Sequence, residues 1–179
     1  RATTLSHVYA ERAENPHAVL DLVEADLRFS DLSGANLSGV NLSDSNLSGA
    51  NLSDGNLNGT NLSRADLSRA KFLRANLHNA DFHRADCRSA NFRLADCKFA
   101  ELSDADFSYV DLREANLNFA NLRGTTFNGA NLSNADLSCT NLRHALFGQT
   151  IIVDVDLSHT KELDQCQHGG PSTIDHRTL

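Results

Sequence analysis

From Ala25 to Leu157 apolar and polar positions recur on a period that belongs to neither common element. A large apolar residue returns at every fifth position from Leu27 to Leu157, 27 times without a slip; 18 are Leu, six are Phe, two are Cys87 and Cys97, and one is Ile152. Two residues before each stands a small residue, Ala in 17 copies, and Asn or Asp fills the place between them in 22. On an α-helix five residues turn about 500°, so successive large residues would scatter about 140° apart. On a flat strand an odd spacing sends them alternately to opposite faces. A short extended piece followed by a corner keeps them all on one side. Within a copy the small and the large residue face inward, the Asn or Asp between them faces outward, and the last two residues turn the corner. Stacked coils of this kind form an all-β solenoid, in which no single copy buries its apolar face alone.

The phrase Ala35-Asn36-Leu37-Ser38-Gly39 is a good copy of this A(D/N)LXX repeat. Over about three quarters of the chain the repeat resembles the pentapeptide-repeat proteins. That resemblance implies a right-handed quadrilateral β-helix with four copies per coil. At ~4.8 Å per coil the repeats would build a rod roughly 30 Å long. Outward residues would then stack in columns. Asn36, Asn56 and Asn76 form one, in which amides hydrogen-bond from coil to coil, and Asn41 and Asn61 belong to another. Asp66, Asp86 and Asp106 form an acidic column, eased by Arg88 and Arg69.

Three segments follow. Residues 1–24 depart from the repeat; Leu5, Val8, Tyr9 and Arg12 have helical spacing and predict a short cap helix over the first coil. Residues 25–160 form the β-helix. Residues 161–179 read as a C-terminal tail or linker, with a turn at Gly169-Gly170-Pro171. The stretch Gly170 to Asp175 resembles a segment that follows pentapeptide repeats in larger bacterial proteins carrying signalling or effector modules. The sequence contains no Met. The expectation is one part of a larger bacterial protein; a processed secreted product is the alternative.

Composition adds limits. The 179 residues carry a net charge of −7, and 40% are hydrophobic, which suits a thin core wrapped in polar corners. No apolar run approaches the length of a membrane span, so no membrane partner is expected and the location reads as cytoplasmic. Charge is zoned: a basic belt of Arg64, Arg69, Lys71, Arg74, Arg84, Arg88, Arg93 and Lys98 lies between two acidic zones. The belt wraps several faces and carries no aromatic ladder for stacking bases, so it reads as solvated surface and nucleic acid is not an expected partner. Cys87 and Cys97 occupy inward positions two copies apart, hence on opposite walls of one coil, and read as buried free thiols in a reducing compartment.

An interior filled with Leu and Phe leaves no room for an active site, and no phosphate loop, zinc-ligand pair or nucleophile motif occurs. The expectations are therefore no enzyme, no catalytic residues, no cofactor and no metal. Departures from the repeat mark two candidate surfaces. Leu94, Phe99, Tyr109 and Phe119 put large apolar groups on corners, and Phe99 and Phe119, one coil apart at four copies per coil, should stack. Leu146, Ile151 and Val153 replace polar outward residues near the far end, where the tail, a second copy in a homodimer, or a downstream domain would cover them. The leading functional reading is a rigid scaffold that binds a protein partner. The alternative, which the resemblance to quinolone-resistance pentapeptide proteins implies, is mimicry of duplex DNA toward a type II topoisomerase.

Overall fold

The computed structural model of the chain describes residues 21–174. In it the outward positions pair in parallel from coil to coil, from Asp21 with Asn41 to Asn141 with Lys161. Each pairing step spans four five-residue copies, so four copies make one turn and the turns stack into a quadrilateral β-helix. The coil pattern is already present at Asp21, one copy before the Ala25 start read from the sequence. Leu22 sits inward at 4% exposure, in the irregular first copy that Leu20 and Leu22 suggest in the sequence. The cap helix expected over Leu5, Val8, Tyr9 and Arg12 lies outside the described residues.

One copy shows how the backbone is satisfied. In residues 90–94, Ala90 N–H donates to the Cys87 carbonyl at 3.0 Å, closing the corner. Asn91 N–H donates to Ala70 of the coil before, and Phe92 and Leu94 N–H donate to Asp111 and Arg113 of the coil after. The fifth donor, Arg93 N–H, reaches the side-chain Oδ1 of Asn91 at 2.9 Å. All five amides of the copy are thus bonded, which burial against neighbouring coils requires. The same bond from a side chain to the amide two positions on recurs along the rod, from Asp21 to Val23 through Asp156 to Ser158.

This bond explains why Asn and Asp interchange. It needs only an acceptor oxygen, which both carry. The expected amide ladder is real but less general: Asn56 donates to Asn36 at 3.2 Å and Asn76 to Asn56 at 3.3 Å. In the acidic column, Arg88 pairs with Asp86 at 2.5 Å and approaches Asp106 at 3.9 Å, as expected. Arg69 makes no such pair among the described residues.

Corners bend through a left-handed residue, the second after each large residue. Gly fills six of these places, and elsewhere the position is non-Gly, with φ near 60° at Leu94, Phe99, Tyr109 and Phe119. An L-residue there costs roughly 1–2 kcal/mol. Its N–H gains a bond to the next coil, as Leu94 shows, and this offsets part of the cost.

The core is a column of Leu, Phe and Ala at essentially zero exposure. Where Phe replaces Leu, the rings pack on one another: Phe72 and Phe92 stack at 4.5 Å, and Phe127 and Phe147 at 5.3 Å. The two inward cysteines belong to this packing. Coil 81–100 directs Phe82 and Phe92 from opposite walls until the rings meet at 5.7 Å. Cys87 and Cys97, on the other two walls, are the small partners that leave room for them. Threonines at small inward positions keep their hydroxyls bonded; Thr60, Thr125 and Thr150 donate to Leu37, Leu102 and Phe127 carbonyls.

Pairing continues past residue 160. Strand β1 (Leu146–Phe147) pairs with β3 (Gln167–His168), and β2 (Ile151–Ile152) pairs with β4 (Thr173–Ile174), both parallel. The pairing step is now longer, from Leu146 to Gln167 and from Ile151 to Thr173, because a short 3₁₀ turn at Leu163–Gln165 and the Gly169–Ser172 loop lengthen the coil. His168 stacks on Phe147 at 6.2 Å and continues the aromatic column with a polar ring. These insertions erase the period of five, which hid this last coil in the sequence.

Replacing Leu117, fully buried, by Asn should cost at least ~2–5 kcal/mol in urea unfolding, the range for emptying a leucine site. The neighbouring Asn118 donates its amide to the Ser138 carbonyl at 3.2 Å. The same amide also donates to Ser138 Oγ, so Asn118→Asp should cost ~1–2 kcal/mol, the loss of two hydrogen bonds.

Candidate functional site

Outward face positions are occupied by Asn and Asp turned back onto the chain, so the corners carry the free side chains. The four corners run as columns along the rod. One column holds Phe99, Phe119, Cys139 and His159. Phe99 and Phe119 stack with centroids 5.1 Å apart and planes inclined by 16°. His78 meets the Phe99 ring edge-on at 5.3 Å. The Lys98 ammonium lies 5.2 Å from the Phe99 centroid and 5.9 Å from that of Phe119. The two phenylalanines remain 46% and 50% exposed. Ring stacking contributes ~0.5–1.5 kcal/mol for the pair, which offsets one strained corner but not two.

The other two predicted ridge residues stand elsewhere. Leu94 occupies the preceding corner, in a column with Asp54, Arg74 and Glu114, and Tyr109 occupies the corner opposite Phe99. The sequence-predicted ridge thus reduces to Phe99 and Phe119, with His78 and Lys98 added. Tyr109 instead shares its column with Phe29, which is 80% exposed. Sequence reasoning passed over Phe29, although it stands two residues after Leu27, at the same corner position as Phe99.

At the far end Leu146 and Ile151 lie on β1 and β2, whose backbones are covered by β3 and β4. Leu146 is half-buried; a methyl at Gly169 would sit 3.5 Å from its Cδ1. Val153 is half-buried and accepts the Asn134 N–H at 2.9 Å, while Ile151 stays 38% exposed. Near this end Asn128 Oδ1 is buried without a partner, at the corner where Thr126 replaces Asn or Asp.

Half of the basic belt is ion-paired: Arg64, Arg74, Arg88 and Arg93 have acidic partners. Arg64 and Arg74 pair bidentately with Asp44 and Asp54 of the preceding coil, and Arg93 pairs with Glu114 of the following coil. The same pairing holds the carboxyls of Asp44 and Asp54 below their ordinary range, and the Arg28 hydrogen bonds lower that of Asp26 to about 2. Exposed pairs of this kind contribute little to stability, but they remove a continuous field of one sign. Among the described residues no group of three or more His, Cys, Asp or Glu is arranged to hold a metal ion. No helix among them is long and apolar enough to cross a membrane.

These features define a repeat solenoid. A sequence profile described as Pentapeptide repeats matches eight copies, in overlapping windows from residues 21–59 to 111–151. The chain belongs to the pentapeptide-repeat family, whose fold is the right-handed quadrilateral β-helix. No curated protein matches it. Among solved structures it is similar to QnrB1, a plasmid-mediated fluoroquinolone resistance protein, at 24% identity over 90% of this chain and 93% of that one, with a TM-score of 0.43. It is also similar to a pentapeptide repeat protein of the Arabidopsis thaliana thylakoid lumen, at 32% identity over 63% and 68% and a TM-score of 0.40. A pentapeptide repeat protein from Nostoc PCC 7120 shares 34% identity over 62% and 81%, with a TM-score of 0.36.

The thiols offer a direct check of the core. Burial pushes Cys87 and Cys97 far above the ordinary thiol range, and Cys166, half-buried beside Asp164, rises to about 11. With Ellman's reagent at pH 8, Cys139 should react first, Cys166 slowly, and Cys87 and Cys97 only after denaturation. Because the native thiols hold their protons where unfolded ones ionise, stability should fall as pH rises past roughly 8.5.

Proposed function

We propose that the chain is a non-catalytic, rigid interaction module that binds a protein partner through the Phe99–Phe119 ridge. The observation that carries this reading is the exposed ring stack, bordered by a cation at Lys98, on a rod whose outward face positions are mostly Asn or Asp. Two half-exposed aromatic rings beside one charge have the composition of an interface hot spot. An interior packed with Leu, Phe and Ala supports the non-catalytic role. The end surface at Leu146, Ile151 and Val153 is a second contact, with Ile151 its most accessible member, for another copy or a following domain. A reducing, cytoplasmic setting fits four unbridged cysteines. Residues 161–174 are taken with the rod as one unit.

Mimicry of duplex DNA toward a type II topoisomerase gains nothing from the charge distribution. Arg88 and Arg113 lie beside the acidic residues they pair with, Asp86 and Asp111, and interrupt any continuous negative row.

The double variant Phe99→Ser/Phe119→Ser should keep the circular dichroism and cooperative melting of the parent. In affinity purification from the native cell it should lose a partner that the parent retains. Unfolding of the variant, or identical partners for both proteins, would contradict the proposal. Inhibition of gyrase supercoiling by the purified rod would favour DNA mimicry instead.

A further inference from the structure

A different corner carries a second surface. Phe29, Gly49, Arg69, Ser89 and Tyr109 follow one another, one per coil, along a single column. Together with Arg88 and the Ser48 and Ser68 floor they line an open groove of about 380 Å³. Each aromatic ring lies across the glycine of the next coil. A Cβ on Gly49 would fall 2.6 Å from Phe29 Cδ1, and a Cβ on Gly129 2.6 Å from Tyr109 Cδ1. Both glycines also adopt φ near +67°, so this position favours Gly twice over. Tyr109 is 65% exposed, and both rings turn apolar surface to solvent.

We infer that this corner binds a polyproline-II segment of a partner protein, with an acidic side chain at its centre. The first argument is spacing. Phe29 and Tyr109 are four coils apart, about 19 Å, with Arg69 midway. A polyproline-II helix repeats every three residues at ~3.1 Å each, so residues i, i+3 and i+6 share one face and span about 19 Å. An extended strand fails this match: its residue i+3 points away from the face that holds i and i+6. Prolines at i and i+6 meet the two aromatic rings, the common mode of polyproline recognition. The middle residue meets Arg69.

The second argument is charge. Arg69 makes no ion pair among the described residues, whereas Arg88 is held by Asp86. The groove therefore offers one guanidinium for one carboxylate. Asp66, Asp86 and Asp106 run along the adjoining face, only partly offset by Arg88, and their repulsion grows with each added charge, which favours a single carboxylate over a nucleic acid strand. A second copy in two-fold antiparallel contact would set Arg69 against Arg69, a like-charge juxtaposition that favours a heterologous partner. The proposal concerns a different edge from the Phe99–Phe119 ridge and stands or falls separately.

The test uses a fluorescein-labelled peptide of three prolines, one glutamate and three prolines, titrated with the full chain and read by anisotropy. Saturable binding is expected. It should weaken roughly tenfold when the glutamate becomes glutamine or in Arg69→Gln, the size of one charge-assisted hydrogen bond. Phe29→Ser and Tyr109→Ser should each weaken it as well, while Arg84→Gln, on another corner, should leave it unchanged. All these side chains are at corners, and circular dichroism checks that each variant keeps the fold. The proposal is overturned if the parent does not bind, or if binding survives both Phe29→Ser and Arg69→Gln. Equal affinity for a glycine-serine peptide with the same central glutamate, or binding of oligothymidylate in its place, overturns it too.

Discussion

The structure depends on the need to bond every backbone amide in a chain that turns a corner in every copy of the repeat. Strands this short cannot satisfy themselves, so three of the five amides in a copy reach neighbouring coils, as residues 90–94 show. A fourth closes the corner. The fifth is left at the first corner residue, and the side chain of Asn or Asp answers it. The outward polar residue is thus a structural acceptor before it is a surface group. Where Glu replaces it, at Glu101, the longer carboxylate still accepts the Ser103 N–H at 2.9 Å.

The same constraint sets the terms for packing. Because register is fixed at four copies per turn, each inward side chain meets the same wall in the next coil, and volume must balance within a coil and between coils. The pairing of two phenylalanines with two cysteines in coil 81–100 is one solution. Neither thiol needs a redox role to explain its place; a leucine at Cys87 or Cys97 would overfill a section already holding two rings. Ring contacts, tilted between Phe107 and Phe127 and stacked between Phe127 and Phe147, carry the packing toward the closing coil, where His168 meets solvent.

Much of this was legible in the sequence. The five-residue period alone assigns inward and outward positions, and the Phe99–Phe119 stack follows from their separation once four copies per coil are accepted. What escaped did so for physical reasons. The bond from Asn or Asp to the amide two positions on leaves no periodic mark distinct from the amide ladder, so the ladder was read as the cause. Phe29 escaped because the surrounding copies are the most regular. Residues 161–174 escaped because insertions of single residues destroy a period without destroying parallel pairing, which tolerates a bulged corner. Leu94 and Tyr109 were grouped with Phe99 by residue type, whereas the column, not the type, decides which corners are neighbours.

A rod of this design has few places to vary. Inward positions are held by packing, and outward face positions by the amide they must answer. The corner residue in the left-handed region is constrained only in backbone, and here it ranges from Gly, Asp and Asn through Arg, His and Leu to Phe and Tyr. An aromatic residue at that place accepts strain and exposure together, and glycine would avoid both. Stacking on another ring offsets part of this at Phe99 and Phe119. For Phe29 and Tyr109 the neighbour is a glycine, which supplies contact for one face only. The unrelieved cost is therefore greatest along the column of Phe29, Arg69 and Tyr109, and recognition of a ligand is the contribution that would balance it.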